Sequence, residues 1–197
     1  SIGRYSMRKL ILKLPEILKR KTVARSRLFK IETLDLLFSN GVERTYERLP
    51  AGSRQGVIVV AINDRDELLL TREYAAGFHE YQLSLPKGAI DGHETAVVAG
   101  ARELAEEVGF GASNVEFVKT LTVAPGHMGY EISVVFATDL YPNELEGDEP
   151  EPIELIKWPI SELDTLIESN DFREGRAIAA LALCKSRIKK IQSRRSG

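Results

Sequence analysis

The chain has 197 residues, of which 43% are apolar and 28% charged, and its formal net charge is −2 at neutral pH. This length suffices for one domain of about 150 residues with an appendage, and the composition is that of an ordinary soluble globular protein. The nearly balanced charge gives no reason to expect nucleic-acid binding. The chain has a single cysteine, Cys184, which excludes an intrachain disulfide and favours a reducing compartment. We expect Cys184 to be a buried packing residue without chemistry.

Residues 1–22 form a basic N-terminal segment. We expect Ser1–Ser6 to be a remnant of expression cloning ahead of a native start at Met7. The apolar stretch Leu10–Leu18 is interrupted by Lys13, Pro15 and Glu16, so it is too broken for a signal-peptide core or a membrane span. These features predict a cytoplasmic protein that does not enter a membrane.

Residues 23–54 are predicted to form a small antiparallel sheet. Apolar and polar residues alternate from Val23 to Leu49, and Ser39-Asn40-Gly41 lies between two such runs, where a hairpin turn belongs. A few strands cannot bury a core alone, so their apolar side chains need another surface. Those side chains belong to Leu28, Phe29, Ile31, Leu34, Leu36, Leu37, Phe38 and Tyr46.

Residues 55–197 are predicted to form the larger domain. Strands are expected at 57–62, 67–73, 80–85, 115–123, 132–138 and 153–158, with helices after Thr95, from Ser161 and over 172–191. The peptide Leu85-Pro86-Lys87-Gly88 is interpreted as a tight turn. Strands on both sides of a central helix, with further helices at the end, predict an α/β fold with a mixed sheet covered on both faces.

The central helix carries a cluster of charged residues. Thr95 can cap its start and Gly109 can supply the left-handed residue that ends it. Its apolar positions recur at steps of four and three, at Val97, Ala101, Leu104 and Val108.

Glu103, Glu106 and Glu107 crowd one edge of the polar face of this helix. Arg102 lies one turn before Glu106 and can pair with it, which leaves Glu103 and Glu107 free. Carboxylates this close repel each other, and a hard divalent cation is the usual remedy. We therefore expect Glu103 and Glu107 to bind Mg²⁺, with Mn²⁺ as a substitute.

A nine-position pattern extends this cluster upstream. It consists of Gly88, Glu94, Arg102, Glu103, Leu104, Glu106, Glu107, Gly109 and Phe110. A solvated helix face with ion pairs would explain the run Arg102–Glu107, but not Gly88 and Glu94 at their fixed distances. The pattern is the Nudix box, so the chain resembles the Nudix hydrolases. That resemblance implies an α/β/α sandwich and hydrolysis of nucleoside diphosphates linked to another group.

A narrower resemblance comes from outside the box. Pro125 lies sixteen residues beyond Gly109, as in the ADP-ribose pyrophosphatases of this family. The chain is also similar to bacterial ADP-compound hydrolases at 23–29, 38–42, 72–74, 139–142 and 146–152. This resemblance implies activity on ADP-ribose, NADH and diadenosine polyphosphates such as Ap3A. It also implies a two-fold homodimer that packs the N-terminal strands on a partner.

The resemblance also implies roles for residues near the box. The carbonyl before the box glycine, here that of Lys87, is a metal ligand in the family. A glutamate of the acidic loop activates water, and Glu149, Glu151 and Glu154 are the candidates, with Glu151 aligning best ahead of the next strand. The predicted catalytic residues are Glu151, Glu106 and Arg102. For any one loop glutamate, a solvated charge is the alternative.

Substrate contacts are expected from six residues. An arginine can hold a diphosphate bidentately, and a tyrosine can stack on adenine. The candidates are Arg72, Tyr74, Arg44, Lys87, Pro125 and His127. The alternatives are an ion pair of Arg72 with Glu73 or a neighbour, a solvated strand charge for Arg44, and an exposed loop position for His127.

The leading function is Mg²⁺-dependent hydrolysis of the pyrophosphate bond of a small-molecule ADP compound, with release of AMP. A non-catalytic module that senses ADP-ribose or another nucleotide is one alternative, although binding alone does not require the three intact glutamates. A diadenosine tetraphosphate or capped-RNA hydrolase is another, because such enzymes resemble this chain at Lys87.

Overall fold

The structure is a computed structural model that describes residues 12–52, 55–147 and 150–195. The expected cloning remnant and Glu149, one candidate for the base, lie outside the described residues. The described chain falls into two compact units: an N-terminal unit that ends at Ala51 and includes Ala124–Gly129, and a second unit that comprises Gly52–Val123 and the chain from Tyr130. No described helix is long and apolar enough to cross a membrane.

The N-terminal unit contains a three-stranded antiparallel sheet of order β1-β2-β3. Its strands are β1 (Glu16–Arg25), β2 (Lys30–Leu37) and β3 (Glu43–Arg48). The predicted hairpin turn is confirmed, because the Gly41 N–H donates to the Phe38 carbonyl at 2.9 Å and Gly41 has a φ of 81°. The sheet starts at Glu16 rather than at the predicted Val23. The sequence did not predict this earlier start because β1 is exposed along its length and lacks a clear apolar alternation.

The apolar side chains predicted to need another surface differ in their exposure. Leu34 and Leu36 on β2 are buried within the chain. Leu28 and Phe29, between β1 and β2, and Tyr46 on β3 remain about half exposed. Packing of these exposed side chains on a partner stays a prediction.

The described residues of the second unit form two sheets built from seven strands. The strands are β4 (Gln55–Ala61), β5 (Glu67–Ala75), β6 (Glu80–Ser84), β7 (Lys87–Ile90), β8 (Phe110–Val123), β9 (Tyr130–Pro142) and β10 (Glu154–Pro159). One sheet has the order β7-β4-β9-β8 and is mixed, because β4 runs parallel to β9 and antiparallel to β7. The other is antiparallel, with the order β10-β5-β6.

The described part of this unit also contains three α-helices: α1 (Ala96–Val108), α2 (Leu163–Glu168), which follows a 3₁₀ turn at Ile160–Glu162, and α3 (Gly175–Arg195). Alternate residues of β4 face opposite sides. Val57 and Val59 pack in a hydrophobic cluster that includes buried side chains of α1. Ile58 and Val60 pack in a second hydrophobic cluster that includes buried side chains of α3. The predicted mixed sheet with helices on both faces is confirmed. Cys184 lies fully buried on α3, and burial raises the pKa of its thiol to about 11.

The ends of α1 are as predicted, and of its four predicted apolar positions Leu104 and Val108 are buried. The Thr95 hydroxyl accepts from the Val98 N–H at 3.3 Å, and Gly109 has a φ of 74°. Val97 and Ala101 are only half-buried, whereas Ala99 and Gly100 are fully buried. The small residues decide the face, because a Cβ on Gly100 would lie 2.6 Å from a methyl group of Val135. The helix therefore approaches the sheet through its smallest side chains.

The predicted turn before α1 is shorter than expected. Only Leu85 and Pro86 connect β6 to β7, and Lys87 and Gly88 already belong to an edge strand. Gly88 lies opposite Val57 in the β4–β7 register, and the Pro86 carbonyl accepts from the Val59 N–H at 2.8 Å. The box glycine is therefore held by sheet hydrogen bonds.

Replacing Leu104, which is fully buried between α1 and the sheet, should destabilise the second unit. We expect Leu104→Ala to lower the free energy of unfolding by about 2–5 kcal/mol, because it removes apolar contacts and leaves a cavity. Val98→Ala, at a position on the same helix that is 53% exposed, should change it by less than about 0.5 kcal/mol. Denaturant unfolding would measure both, and equal effects would contradict the packing described for α1.

Candidate active site

Arg102 on α1 connects the carboxylates of the box. Its Nε and Nη2 atoms each donate to the Glu94 carboxylate at 3.0 Å. Its Nη1 atom donates to Glu103 at 2.8 Å and to Glu106 at 2.9 Å. The predicted pairing of Arg102 with Glu106 is confirmed. The expectation that it leaves Glu103 free is wrong, because a guanidinium has enough donors for several carboxylates.

This arrangement explains why Glu94 belongs to the box. Its two oxygens accept a bidentate pair of hydrogen bonds, and the Asp91 N–H also donates to it at 3.0 Å. The bond to Glu94 is the main cause that raises the pKa of Arg102, and the same bond lowers the pKa of Glu94. Glu94 therefore anchors the guanidinium that holds the glutamates of α1.

The glycine of the box gives Glu103 its place. A Cβ built on Gly88 would lie 2.0 Å from the Glu103 carboxyl carbon, so no other residue fits there without displacing the carboxylate. Glu103 is only 8% exposed. The Glu103 carboxylate on α1 therefore lies directly against Gly88 on the edge strand β7.

Glu107 is the most perturbed carboxyl group of the cluster. One of its oxygens accepts from the Lys87 N–H at 3.0 Å. Burial, followed by repulsion from Glu73 and then Glu103, raises the pKa of Glu107 to about 9. An ionised Glu107 is therefore unfavourable unless a positive charge lies beside it.

These donors fit a divalent cation. Among the described residues, no three acidic, histidine or cysteine side chains converge as a closed metal cage. Mg²⁺ does not require one, since it is commonly held by one or two carboxylates, waters and substrate phosphates. Glu103 and Glu107 are the predicted carboxylate ligands, and their role, like that of the Lys87 carbonyl, stays a prediction.

Glu73 was missed as a site residue by the sequence analysis. It lies on β5, where Thr71 donates to it at 2.8 Å and the Lys87 ammonium pairs with it at 2.6 Å. The two-residue spacing along β5 could have indicated this, because it places Glu73 on the same face of the strand as Thr71. Thr71 is fully buried in the structure. Lys87 was predicted to contact phosphate, and its ammonium is engaged by Glu73 in this structure.

A cleft of about 660 Å³ opens beside the carboxylates. Glu103, Glu106 and Glu107 line one side of it, and residues 144–147 and 150–153 line the other. The first part of this loop is fixed to the end of α1, since the Asn143 N–H donates to the Gly109 carbonyl at 2.9 Å. The acidic loop therefore faces the predicted metal ligands.

A second cleft of about 430 Å³ shares part of that wall. It is lined by Arg72, Glu73, Tyr74, Tyr81 and residues 150–154. Arg72 is ion-paired, although not with Glu73: it donates to both oxygens of Asp171 at 3.3 and 2.9 Å and lies 3.2 Å from Glu154. This engagement raises the pKa of Arg72 and lowers that of Asp171.

Among the candidate bases that the structure describes, Glu151 alone borders both clefts. Its Oε1 atom accepts a short hydrogen bond from the Tyr81 hydroxyl, which raises the pKa of Tyr81. Glu154 instead pairs with Arg72 and lines only the second cleft. Tyr81 was not identified from the sequence, because the sequence of strand β6 does not indicate which distant loop will contact it.

The structure brings together the box residues, Lys87, Arg72, Tyr74 and Glu151 within the second unit. Arg44, Pro125 and His127 belong to the N-terminal unit and are exposed. There the Leu49 N–H donates to the His127 carbonyl at 2.8 Å, and Arg44 donates to the Glu43 carbonyl at 2.7 Å. Their substrate contacts stay predictions.

Comparison with known families agrees with this geometry. Residues 52–181 match the NUDIX domain, and residues 15–48 match the NudE-type Nudix hydrolase N-terminal domain. The chain belongs to the Nudix hydrolase family. The sequence prediction of this family, and of a Nudix enzyme, is confirmed.

Individual Nudix relatives cover nearly the whole chain. ADP compounds hydrolase NudE of Escherichia coli (strain K12) is 48% identical over 90% of this chain and 95% of its own length. ADP-ribose pyrophosphatase of Bacillus subtilis (strain 168) is 23% identical over 83% of this chain and 91% of its own. A crystal structure of an ADP compounds hydrolase superposes with a TM-score of 0.87 at 48% identity, over 91% of this chain and 96% of that one. Membership of this family implies dependence on a divalent metal.

The raised pKa of Glu107 predicts a pH-dependent stability of the metal-free protein. Its native pKa of about 9 lies above the unfolded value of 4.5, so between these values the folded state binds more protons and rising pH favours unfolding. We expect Glu107→Gln to remove this effect and to be more stable than the original protein by about 1–3 kcal/mol near pH 8.5. Thermal melts from pH 5 to 9 with a chelator would test this, and identical pH slopes of the two proteins would contradict it.

Proposed function

We propose that this Nudix enzyme hydrolyses the pyrophosphate bond of ADP-containing compounds with Mg²⁺ and releases AMP. The observation that carries the proposal is that Glu103, Glu107 and Glu151 line one cleft. The similarity to an ADP compounds hydrolase and to an ADP-ribose pyrophosphatase supports the substrate class. ADP-ribose, NADH and Ap3A are the candidate substrates, and the single cysteine favours action in the cytoplasm.

The residues divide the chemistry between them. Glu103 and Glu107, with the Lys87 carbonyl, would hold Mg²⁺, which when bound neutralises the diphosphate and polarises its oxygens. Glu151 accepts a proton from the attacking water as a P–O bond forms, the P–O bond of the anhydride breaks, and its electron pair leaves with the departing phosphate. Arg102 keeps Glu103 and Glu106 in place through the hydrogen bonds described above.

Lys87 gives little support to a diadenosine tetraphosphate or capped-RNA hydrolase. That alternative is supported by a resemblance at Lys87 alone, and the Lys87 ammonium lies 2.6 Å from Glu73 with both side chains less than 20% exposed. A sensing module has no need for the glutamates that Arg102 arranges. We therefore favour catalysis on an ADP compound.

The experiment that tests this function is product analysis with ADP-ribose, NADH and Ap3A in the presence of Mg²⁺ or Mn²⁺. We expect release of AMP, and we expect Glu107→Gln to lower turnover by several orders of magnitude, since a ligand charge is lost while side-chain size is kept. Glu168→Gln is the matched control, because Glu168 is exposed and lines neither cleft. Turnover of Glu107→Gln close to that of the control would rule out the metal assignment.

The loop variants test the base. Glu151→Gln should lower turnover by about 10²–10⁴-fold with little change in KM, as expected for a base that acts in the transition state. Glu154→Gln is the neighbouring comparison, since Glu154 pairs with Arg72 and does not line the carboxylate cleft. Steady-state kinetics decides between them, and a larger loss of turnover in Glu154→Gln would move the base to that residue.

We also propose that the enzyme is a homodimer, formed through the exposed apolar side chains of the N-terminal sheet. Leu28, Phe29 and Tyr46 are 61%, 55% and 47% exposed, and burying such side chains in a symmetric interface would stabilise a dimer. Light scattering should give twice the mass of the chain. Phe29→Glu should shift the protein toward the monomer, while Val98→Glu on α1 should not, and a monomeric original protein would exclude this assembly.

A further inference from the structure

We infer that Tyr81 is a positioning residue that holds Glu151 where it can accept the proton of the attacking water. The inference rests on the proposed function, in which Glu151 is the base. Tyr81 lies on β6, and its hydroxyl donates to Glu151 Oε1. This bond uses one carboxylate oxygen and leaves Oε2 for a second hydrogen bond.

The segment that carries Glu151 is restricted by its own sequence. Pro150 precedes Glu151 and Pro152 follows it. Pro150 has its own φ fixed at about −65°, and Pro152 disfavours helical backbone angles for Glu151. The backbone is therefore stiff at this position, but it lies outside any strand or helix and has no sheet partner. Placement of the carboxylate has to come from a side-chain contact.

Tyr81 supplies that contact from a rigid element. It lies directly opposite Tyr74 in the β5–β6 register, and the two rings meet edge to face with centroids 6.0 Å apart. Tyr74 is itself fixed by a hydrogen bond of 2.8 Å between its hydroxyl and His79 Nδ1. The ring of Tyr81 is thus held from one side, and its hydroxyl reaches the loop.

The topology shows what this bond achieves. The sheet order is β10-β5-β6, and Glu151 comes just before β10, where Glu154 lies opposite Arg72. The hydrogen bond between Tyr81 and Glu151 therefore connects β6 with the segment before β10, two strands that are separated by β5. Without the Tyr81 hydroxyl, the carboxylate would keep no described partner that fixes it between the two clefts. Since small displacements of a reacting group are costly in rate, the loss should appear in turnover.

Tyr81→Phe tests the role directly, because it removes the hydroxyl and keeps the ring contact with Tyr74. We expect kcat for AMP release to fall by about 10- to 100-fold, KM to change by less than about twofold, and the melting temperature to stay within a few degrees. Tyr141→Phe is the matched control, since Tyr141 is an exposed tyrosine on β9 that lines neither cleft. It should keep the original kcat.

A double-mutant cycle separates positioning of Glu151 from contact with substrate. If Tyr81 acts through Glu151, adding Tyr81→Phe to Glu151→Gln should lower kcat by less than about twofold further. An equal loss on both backgrounds, or a loss confined to KM, would overturn the inference. A slow Glu151→Gln beside a fully active Tyr81→Phe would overturn the role of Tyr81 and leave the proposed function standing. A fully active Glu151→Gln would remove both the base and its positioning residue.

Discussion

The site depends on one electrostatic constraint, which is that several carboxylates must lie close together in a partly buried place. Arg102 meets part of this constraint by bonding to Glu94, Glu103 and Glu106 at once. Glu107 is outside its reach and keeps a strongly raised pKa. The charge that remains is what makes the cluster a favourable place for a divalent cation.

The packing of α1 follows from the same requirement. For Glu103 to lie against β7, the helix must approach the sheet closely, and Gly88 and Gly100 make this possible at two points. Leu104 and Val108 then bury the apolar side of the helix against β4 and β9. Catalytic geometry and core packing are thus decided by the same contacts, so a larger side chain at either glycine would disturb both.

The acidic loop is placed from two directions. Its start is bonded to the end of α1 through Asn143 and Leu145, whose N–H groups donate to Gly109 and Ala105. Its end leads into β10, which pairs with β5. Glu151 therefore borders one cleft with Glu103 and Glu107 of α1, and a second cleft with Arg72, Tyr74 and Tyr81 of the β10-β5-β6 sheet. The predicted base and the predicted diphosphate contact come within one region because the loop passes from the helix to this sheet.

The sequence by itself determined the box, both ends of α1, the strand at 57–62 and the acidic character of the loop, because these depend on local spacing, capping and hydrophobic patterning. Only the tertiary structure decided that Arg102 also bonds Glu103, that Glu73 joins Lys87, and that Tyr81 meets Glu151. Those pairs lie on different elements or compete for one set of donors, and no local pattern records which strand a distant loop will cross. The same reason explains why β7 was taken for a turn: an edge strand of four residues is defined by its partner β4 more than by its own sequence.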